Sequence, residues 1–261
     1  MTGTAVDSTR PCVLVFAGLD PSGGAGLIAD AQAIAAQGAH SLAVCTALTV
    51  QDNDRVYGVQ PVDAELVLRQ ARALVDRIAV GAVKIGIPGS AANAQAIAGL
   101  IRDLRRTRPQ LPVVLDPVLA SGHGDLLTQG DAVAALAPLL PLVTVLTPNG
   151  PEARQLTGSA DVAHQAAMLH ARGCDQVLIT GGHDDGRHVV NRCFGRHCGQ
   201  WRWPRLAGSF HGSGCTLAAA IAGQLAMPVP MLAALENAQH YCYGTLRGAY
   251  AIAPGQRLPL R

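Results

Sequence analysis

The chain has 261 residues, of which 49% are hydrophobic and 15% charged, which supplies a sizeable core and excludes wholesale disorder. Twenty basic and 18 acidic side chains leave a formal net charge of +2 with no basic block, so nothing favours a nucleic-acid partner. Lys84 is the only lysine and is followed by Ile85, which excludes a Gly-Lys-Ser/Thr phosphate loop.

From the first residue onward, Met1–Arg10 reads as a loosely held tail with no basic leader region or cleavage site. The strand candidate Cys12–Ala17 runs through a glycine-rich loop into a helix over Ala25–Gln37. Strand Leu42–Leu48 and helix Asp63–Arg77 follow, then strand Ala82–Ile85 and helix Ala91–Arg106. Strand Val113–Leu115, helix Asp131–Leu139, strand Val143–Leu146, helix Val162–Arg172 and strand Val177–Thr180 continue the alternation. The polar segment Gly186–Pro204, which holds both tryptophans, breaks it and reads as an antiparallel hairpin. Helices over Cys215–Leu225 and Val229–Tyr250 close the pattern, and Pro254–Arg261 reads as a second loose tail. Short apolar strands separated by helices predict an α/β fold, with a mostly parallel sheet covered on both faces in one domain over residues 1–261. No apolar stretch reaches the roughly 18 residues of a membrane span. The seven cysteines are odd in number and scattered, unlike a disulfide framework, so a reduced cytoplasmic protein without a membrane partner is expected.

In such sheets the ligand crevice lies beyond the carboxyl ends of the strands, and the polar clusters fall there. They are Gly18 to Gly26, Gln51-Asp52-Asn53, Lys84-Ile85-Gly86, Asp116-Pro117, Thr147-Pro148-Asn149 and Gly181-Gly182-His183. Gly18, Gly23, Gly24 and Gly26 allow a tight turn or close approach to a ligand before a helix, but no Gly-x-Gly-x-x-Gly fits the loop. Gly212-Ser213-Gly214 precedes a helix and can present backbone N–H groups as an anion hole, or can be an ordinary capped start. Cys215 lies in that helix's first turn, where the dipole is expected to lower a thiol pKa. Asp116, Asn149 and Glu152 offer hard oxygens suited to Mg²⁺, or plain turn chemistry. His188, Cys193, His197 and Cys198 have no standard zinc spacing and fit alternating hairpin faces.

Six clusters in order resemble one family. Ala17-Gly18-Leu19-Asp20-Pro21-Ser22-Gly23-Gly24-Ala25-Gly26, with Ala29-Asp30, resembles the opening signature of hydroxymethylpyrimidine/phosphomethylpyrimidine kinases, members of the ribokinase-like superfamily. Thr46 to Gln51, Lys84-Ile85-Gly86, Val114 to Val118, Leu146 to Ala153 and His211 to Leu217 are similar to the family's later motifs and extend the match from residue 12 to about residue 226. The resemblance implies a ribokinase-like three-layer sandwich. It also implies ATP- and Mg²⁺-dependent phosphorylation of 4-amino-5-hydroxymethyl-2-methylpyrimidine, and then of its monophosphate, for thiamine biosynthesis.

By the same resemblance, Gln51 holds the aminopyrimidine edge, with Gly18 and Asp30 nearby and Ile87 and Val118 against the ring. Gly212, Ser213 and Gly214 form the anion hole, and Cys215 acts as a base or orients the hydroxyl. Asp116 and Glu152 organise Mg²⁺, with Asn149, Thr180 and Gly182 on the nucleotide side. Relatives commonly dimerise, so a homodimer is expected. Ser213 replaces the family's usual threonine, Ile87 a frequent methionine, and Thr180 a frequent lysine, for which an arginine of the Arg187–Arg205 hairpin is the expected substitute. A pyridoxal kinase and a non-catalytic pyrimidine-binding protein are the rival readings. Gln51 and Gly-Ser-Gly-Cys, in place of an ending Gly-x-Gly-Asp, favour the pyrimidine. A flap at Gly122-His123-Gly124 is a further expectation.

Overall fold

Strand β1 (Cys12–Leu19) is apolar on both faces, so it can only be a central strand. Its side chains alternate between two cores: Val13, Val15 and Ala17 point to one, Leu14 and Phe16 to the other. The computed structural model describes residues 10–120, 124–125 and 131–261. The tail expected before Arg10 and the Gly122-His123 part of the expected flap lie outside these residues.

The chain proceeds through α1 (Gly26–Ala36), β2 (His40–Gln51), β3 (Val56–Pro61), α2 (Ala64–Val75), β4 (Val80–Ile85) and α3 (Ala91–Thr107). It continues through β5 (Val113–Leu115), α4 (Ala132–Leu136), β6 (Val145–Leu146), α5 (Gly150–Thr157), α6 (Val162–Ala171) and β7 (Gln176–Ile179). Strands β8 (His188–Gly195) and β9 (Gly199–Pro204), then α7 (Ser213–Leu225) and α8 (Met231–Arg247), complete the order. One nine-stranded sheet runs β3-β2-β1-β4-β5-β6-β7-β8-β9. The six strands from β2 to β7 in that order pair in parallel, and β3, β8 and β9 are antiparallel. The core on one face draws on α2 to α6, and that on the other on α1, α7 and α8. This is the three-layer α/β fold expected from the sequence, including the antiparallel hairpin.

Two elements differ from expectation. Strand β3 extends the sheet beyond the expected end of β2, and a register shift between Val50 and Gln51 bends the hairpin where Gln51 sits. Helix α5 follows Thr147-Pro148-Asn149, where only a turn was expected. Asn149 and Glu152 form a reciprocal capping box, and Gly158 ends the helix in the left-handed region at φ 74°. The segment 254–261, expected to be loose, is instead pinned. Gln256 and Leu258 are buried, Arg257 N–H donates to Ser209 O at 3.0 Å, and Tyr250 and Leu258 exchange backbone hydrogen bonds.

The chain leaves β1 for β2 on one side, while β4 pairs on the other, so the topological switch lies between β1 and β4. Lys84 occupies this point. It is fully buried in β4, and its Nζ donates to Asp30 Oδ2 of α1 at 2.8 Å. Lys84→Ala would leave the Asp30 carboxylate buried without its ammonium, at a loss of about 3–5 kcal/mol in urea unfolding. Lys84→Met combined with Asp30→Leu should recover most of it. A single-variant loss below about 1 kcal/mol would mean that the pair carries little of the fold.

Candidate active site

The six parallel strands end at one cleft of about 820 Å³, lined among others by Gly18, Gln51, Lys84, Asp116, Asn149 and Thr180. Its floor is made where two glycine-rich loops meet. Gly212 caps α7 with φ 80°, and a β-carbon there would stand 1.9 Å from Gly24 O. Only glycine lets the backbones approach so closely. Gly26, at φ 59°, would place a β-carbon 2.2 Å from Gly18 O, so the same constraint recurs at the start of α1.

Asp20 closes the first loop on itself. Its carboxylate accepts from Ser22 N–H at 2.8 Å, Ser22 Oγ at 2.9 Å and Ala25 N–H at 2.7 Å, and pairs with His211 Nε2 at 2.8 Å. Burial pushes Asp20 upward, but the hydrogen bonds from His211 and Ser22 outweigh it and hold the carboxyl below its ordinary range. His211 thereby joins the loop after β1 to the loop before α7.

Below the loops lies a charged cluster. Burial disfavours the Lys84 ammonium, yet Asp30, Cys215 and Asp116 together hold its pKa above the ordinary lysine range. Burial raises Asp116 to about 6 against the pull of Lys84 and of a hydrogen bond from Cys215. Burial, then the charge of Asp116, raises Glu152 to about 8. Burial also pushes the Cys215 thiol up to about 12, so desolvation overrides the helix dipole from which a lowered value was expected. Cys215 in this cleft is a neutral thiol beside Lys84 and Asp116.

Of the residues singled out in the sequence, Gly212, Ser213, Gly214, Cys215, Gly18, Gln51, Ile87, Val118, Asn149, Thr180, Gly182, Asp116 and Glu152 line the one cleft. Asp30 does not: it is fully buried behind the wall and reaches the cleft only through Lys84. Gln51 Nε2 donates to Thr49 Oγ1 at 2.6 Å, which itself donates to Leu19 O at 2.8 Å. Gly18 lies against Ile87, whose Cδ1 would be 2.8 Å from a β-carbon at that position. Together they form a flat apolar slot beside a polar amide.

On the far side, Thr180 N–H donates to Pro148 O at 2.9 Å, setting Thr180 beside Asn149. Arg205 is the hairpin arginine that lines the cleft. Its guanidinium donates to Gly186 O at 2.8 Å and Gly182 O at 2.7 Å, and also to the Asp184 carbonyl. Arg205 therefore shapes the 181–186 turn rather than standing free as a substitute for the missing lysine.

Asp116 Oδ2 is buried with no hydrogen-bond partner, beside a Glu152 carboxyl that retains its proton for want of compensating charge. That pairing of hard oxygens suits a magnesium ion that keeps several waters and takes phosphate oxygens. No three His, Cys, Asp or Glu side chains among the described residues gather into a protein-only cage.

Sequence reasoning passed over His211, Asp20 and Arg261. His211 and Asp20 lie within quoted motifs but are 191 positions apart, and nothing local signals their pairing. The signal for Lys84 was available: a lone lysine within an apolar strand must find a buried partner.

The family profile described as phosphomethylpyrimidine kinase matches residues 20–259. A hydroxymethylpyrimidine/phosphomethylpyrimidine kinase of Streptomyces coelicolor is 37% identical, over 98% of this chain and 96% of its own. A phosphomethylpyrimidine kinase structure from Clostridium difficile superposes with a TM-score of 0.74 and 30% identity, over 90% of this chain and 98% of that one. An ADP complex of Bacillus subtilis pyridoxal kinase superposes with a TM-score of 0.85 and 26% identity, over 96% of this chain and 97% of that one.

Glu152 and Asp116 give the protein a pH signature. Both carboxyls are raised in the folded state, so their stabilisation is complete below the unfolded values and is lost as pH rises through about 6 and about 8. Between those two pH values, one proton held by folded but not unfolded Glu152 amounts to roughly 2 kcal/mol. Unfolding free energy without divalent cations should fall over that interval, and by roughly 1–2 kcal/mol less in Glu152→Gln, which retains an acceptor for the α5 cap. Parallel curves for the two proteins would show that Glu152 titrates as an ordinary carboxylate.

Proposed function

The chain belongs to the phosphomethylpyrimidine kinase family, and we infer that its cleft transfers the γ-phosphoryl group of ATP to the hydroxymethyl oxygen of 4-amino-5-hydroxymethyl-2-methylpyrimidine. A second transfer to the monophosphate gives the diphosphate used in thiamine biosynthesis. The observation that carries this reading is the shared cleft: the Gly18–Ile87 slot with Gln51 on one side, and the Gly212–Cys215 helix start between it and the Asn149–Thr180 side. We take residues 1–261 as one kinase domain.

The Gln51 amide offers a donor and an acceptor, which matches the amine and ring nitrogen of an aminopyrimidine. Ile87 and Val118 cover the ring. The hydroxymethyl oxygen attacks phosphorus, the bond to the β-phosphate oxygen breaks, and ADP departs. Phosphoryl transfer depends mainly on alignment and charge neutralisation, for which backbone N–H groups from Ser213 onward are preorganised. A neutral Cys215 supports an orienting role: the thiol positions the hydroxyl, and the hydroxyl proton passes to an oxygen of the transferred phosphoryl group. Asp116 and Glu152 would hold Mg²⁺, with Asn149 and Gly182 beside the phosphates. Bound there, the metal supplies positive charge to the β- and γ-phosphate oxygens. Arg205 supports the nucleotide side through the Gly181–Gly186 turn, with Thr180 where many relatives have lysine.

A second copy of this chain fits the exposed side of the β2–β3 hairpin. Leu48 and Val50 are 50% and 65% exposed on one face of that edge, and Tyr57 is 68% exposed nearby. No helix among the described residues is long and apolar enough to cross a membrane. A homodimer is the reading this exposed edge supports. Sedimentation should find a dimer that Val50→Asp converts to monomer; a monomeric wild-type protein would dismiss it.

The deciding experiment offers Mg·ATP with hydroxymethylpyrimidine, beside a pyridoxal control, and resolves products by mass. Both pyrimidine phosphates should form, with little pyridoxal phosphate. Preferential pyridoxal phosphorylation would reverse the assignment in favour of the pyridoxal kinases of similar fold, and pyrimidine binding without turnover would leave a binding protein. Cys215→Ser, which keeps a hydroxyl, should retain more activity than Cys215→Ala, whose kcat should fall about 100-fold or more. Equal loss in both would rule out orientation by hydrogen bonding.

A further inference from the structure

The segment 254–261 reaches the cleft at Gln256 and bonds both glycine loops that build its floor. Asn53 Nδ2, at the tip of the β2–β3 hairpin, donates to Pro254 O at 3.2 Å and to Gln256 O at 3.0 Å. His211 N–H donates to Arg257 O at 2.9 Å. The segment then delivers the Arg261 side chain beneath the two glycine loops. Arg261 Nε donates to Thr216 Oγ1 at 2.8 Å, and Nη2 to Gly24 O at 2.6 Å and Gly212 O at 3.3 Å.

We propose that Arg261 is a positioning residue for phosphoryl transfer, which locks the Gly212–Ser213 peptide so that the Ser213 N–H faces the transferring group. This deepens the kinase reading above and rests on it. A trans peptide is planar, with its carbonyl and N–H pointing in opposite directions. Gly212 O is drawn away from the cleft by three donors: Arg261 Nη2, Thr216 N–H at 2.9 Å and Thr216 Oγ1 at 2.8 Å. The N–H of the same peptide must then point the other way. A charged donor on the carbonyl also polarises the peptide and strengthens its N–H as an anion donor.

The contact with Gly24 O has a second effect. It ties that loop's carbonyl to the same guanidinium, while Ala25 N–H turns to Asp20. The guanidinium is placed for this by the strap and not by chance exposure. A β-carbon on Gly212 would approach Arg261 Nη2 to 2.9 Å, so glycine and arginine occupy complementary space. Burial lowers the Arg261 pKa, while Cys215, Tyr241 and Asp30 oppose that shift, so its charge is felt within the same cluster.

The test compares wild type, Arg261→Gln and Arg261→Lys as full chains, with melting temperature, calorimetric titration of inorganic phosphate, and steady-state kinetics. In Arg261→Gln, phosphate affinity should fall about tenfold or more and kcat about thirtyfold, while pyrimidine KM moves less than about threefold. Lys can reach one carbonyl but not bridge both, so Arg261→Lys should recover only part of kcat. Unchanged kcat and phosphate affinity in either folded variant would overturn the proposal, as would a kcat loss that merely follows the unfolded fraction. Should Arg261→Gln not fold, Arg261→Lys decides, and kcat within about twofold of wild type overturns the proposal. Wild-type protein that binds no phosphate would also overturn it. Phosphate binding without pyrimidine turnover would defeat the substrate reading instead, leaving the phosphate comparison to decide the role of Arg261.

Discussion

One ammonium group at the topological switch conditions everything around it. Lys84 is fully buried between two cores, paired with Asp30 and attracting Asp116. A buried lysine is tolerable only with such partners, and they in turn can lie close together only because it is there. The pair with Asp30 fixes α1 against β4, and α1 begins at the glycine loop that meets Gly212. Fold and floor of the cleft are thus settled by the same charge. Removing the lysine would not only cost stability; it would leave Asp30 and Asp116 facing one another without a cation between them.

Around that charge the cleft is assembled from backbone. Gly24 and Gly212 approach closely enough to exclude any side chain, and the groups that hold them there, Asp20, His211, Thr216 and Arg261, come from three separate stretches. Such a floor presents N–H groups in fixed directions with little side-chain entropy to lose on binding. On the proposed reading, such a floor serves a kinase whose only lysine, Lys84, is buried outside any Gly-Lys-Ser/Thr loop.

Much of this was legible in the residue order. Continuous apolar runs such as Val13–Phe16 and Val113–Leu115 can only be central parallel strands, and the glycine and Asp-Pro clusters after them mark the ligand side. Other features were hidden for physical reasons. Strand β3 lacks clean alternation and ends in Pro61, and its pairing depends on a bulge beside Gln51. Helix α5 starts with Gly-Pro, which reads as a turn until Asn149 and Glu152 are seen capping each other. Asp30 stands in a motif near the substrate loop, but the helix directs it inward to Lys84. Cys215 shows the limit of a dipole argument, because burial moves its pKa upward more strongly than helix position moves it down. The 254–261 segment has the composition of a loose end, and the contacts that hold it, from Tyr250 and Ser209 nearby to Asn53 and Gly24 more than 200 positions away, leave no local signal.

Those distances carry a kinetic consequence. The bond from Arg261 to Gly24 spans 237 positions and that from His211 to Asp20 spans 191, whereas β1 meets β2 within about thirty. Closing long loops has an entropic cost that structure already formed must offset, so such contacts belong late in folding. Helix α7 packs on α1 across a comparable separation, so the covering of that face of the sheet and the closing of the cleft floor are one event in chain-entropy terms. Turnover on refolding is therefore expected to return with the docking of α7 on α1, after the local β1–β2 pair.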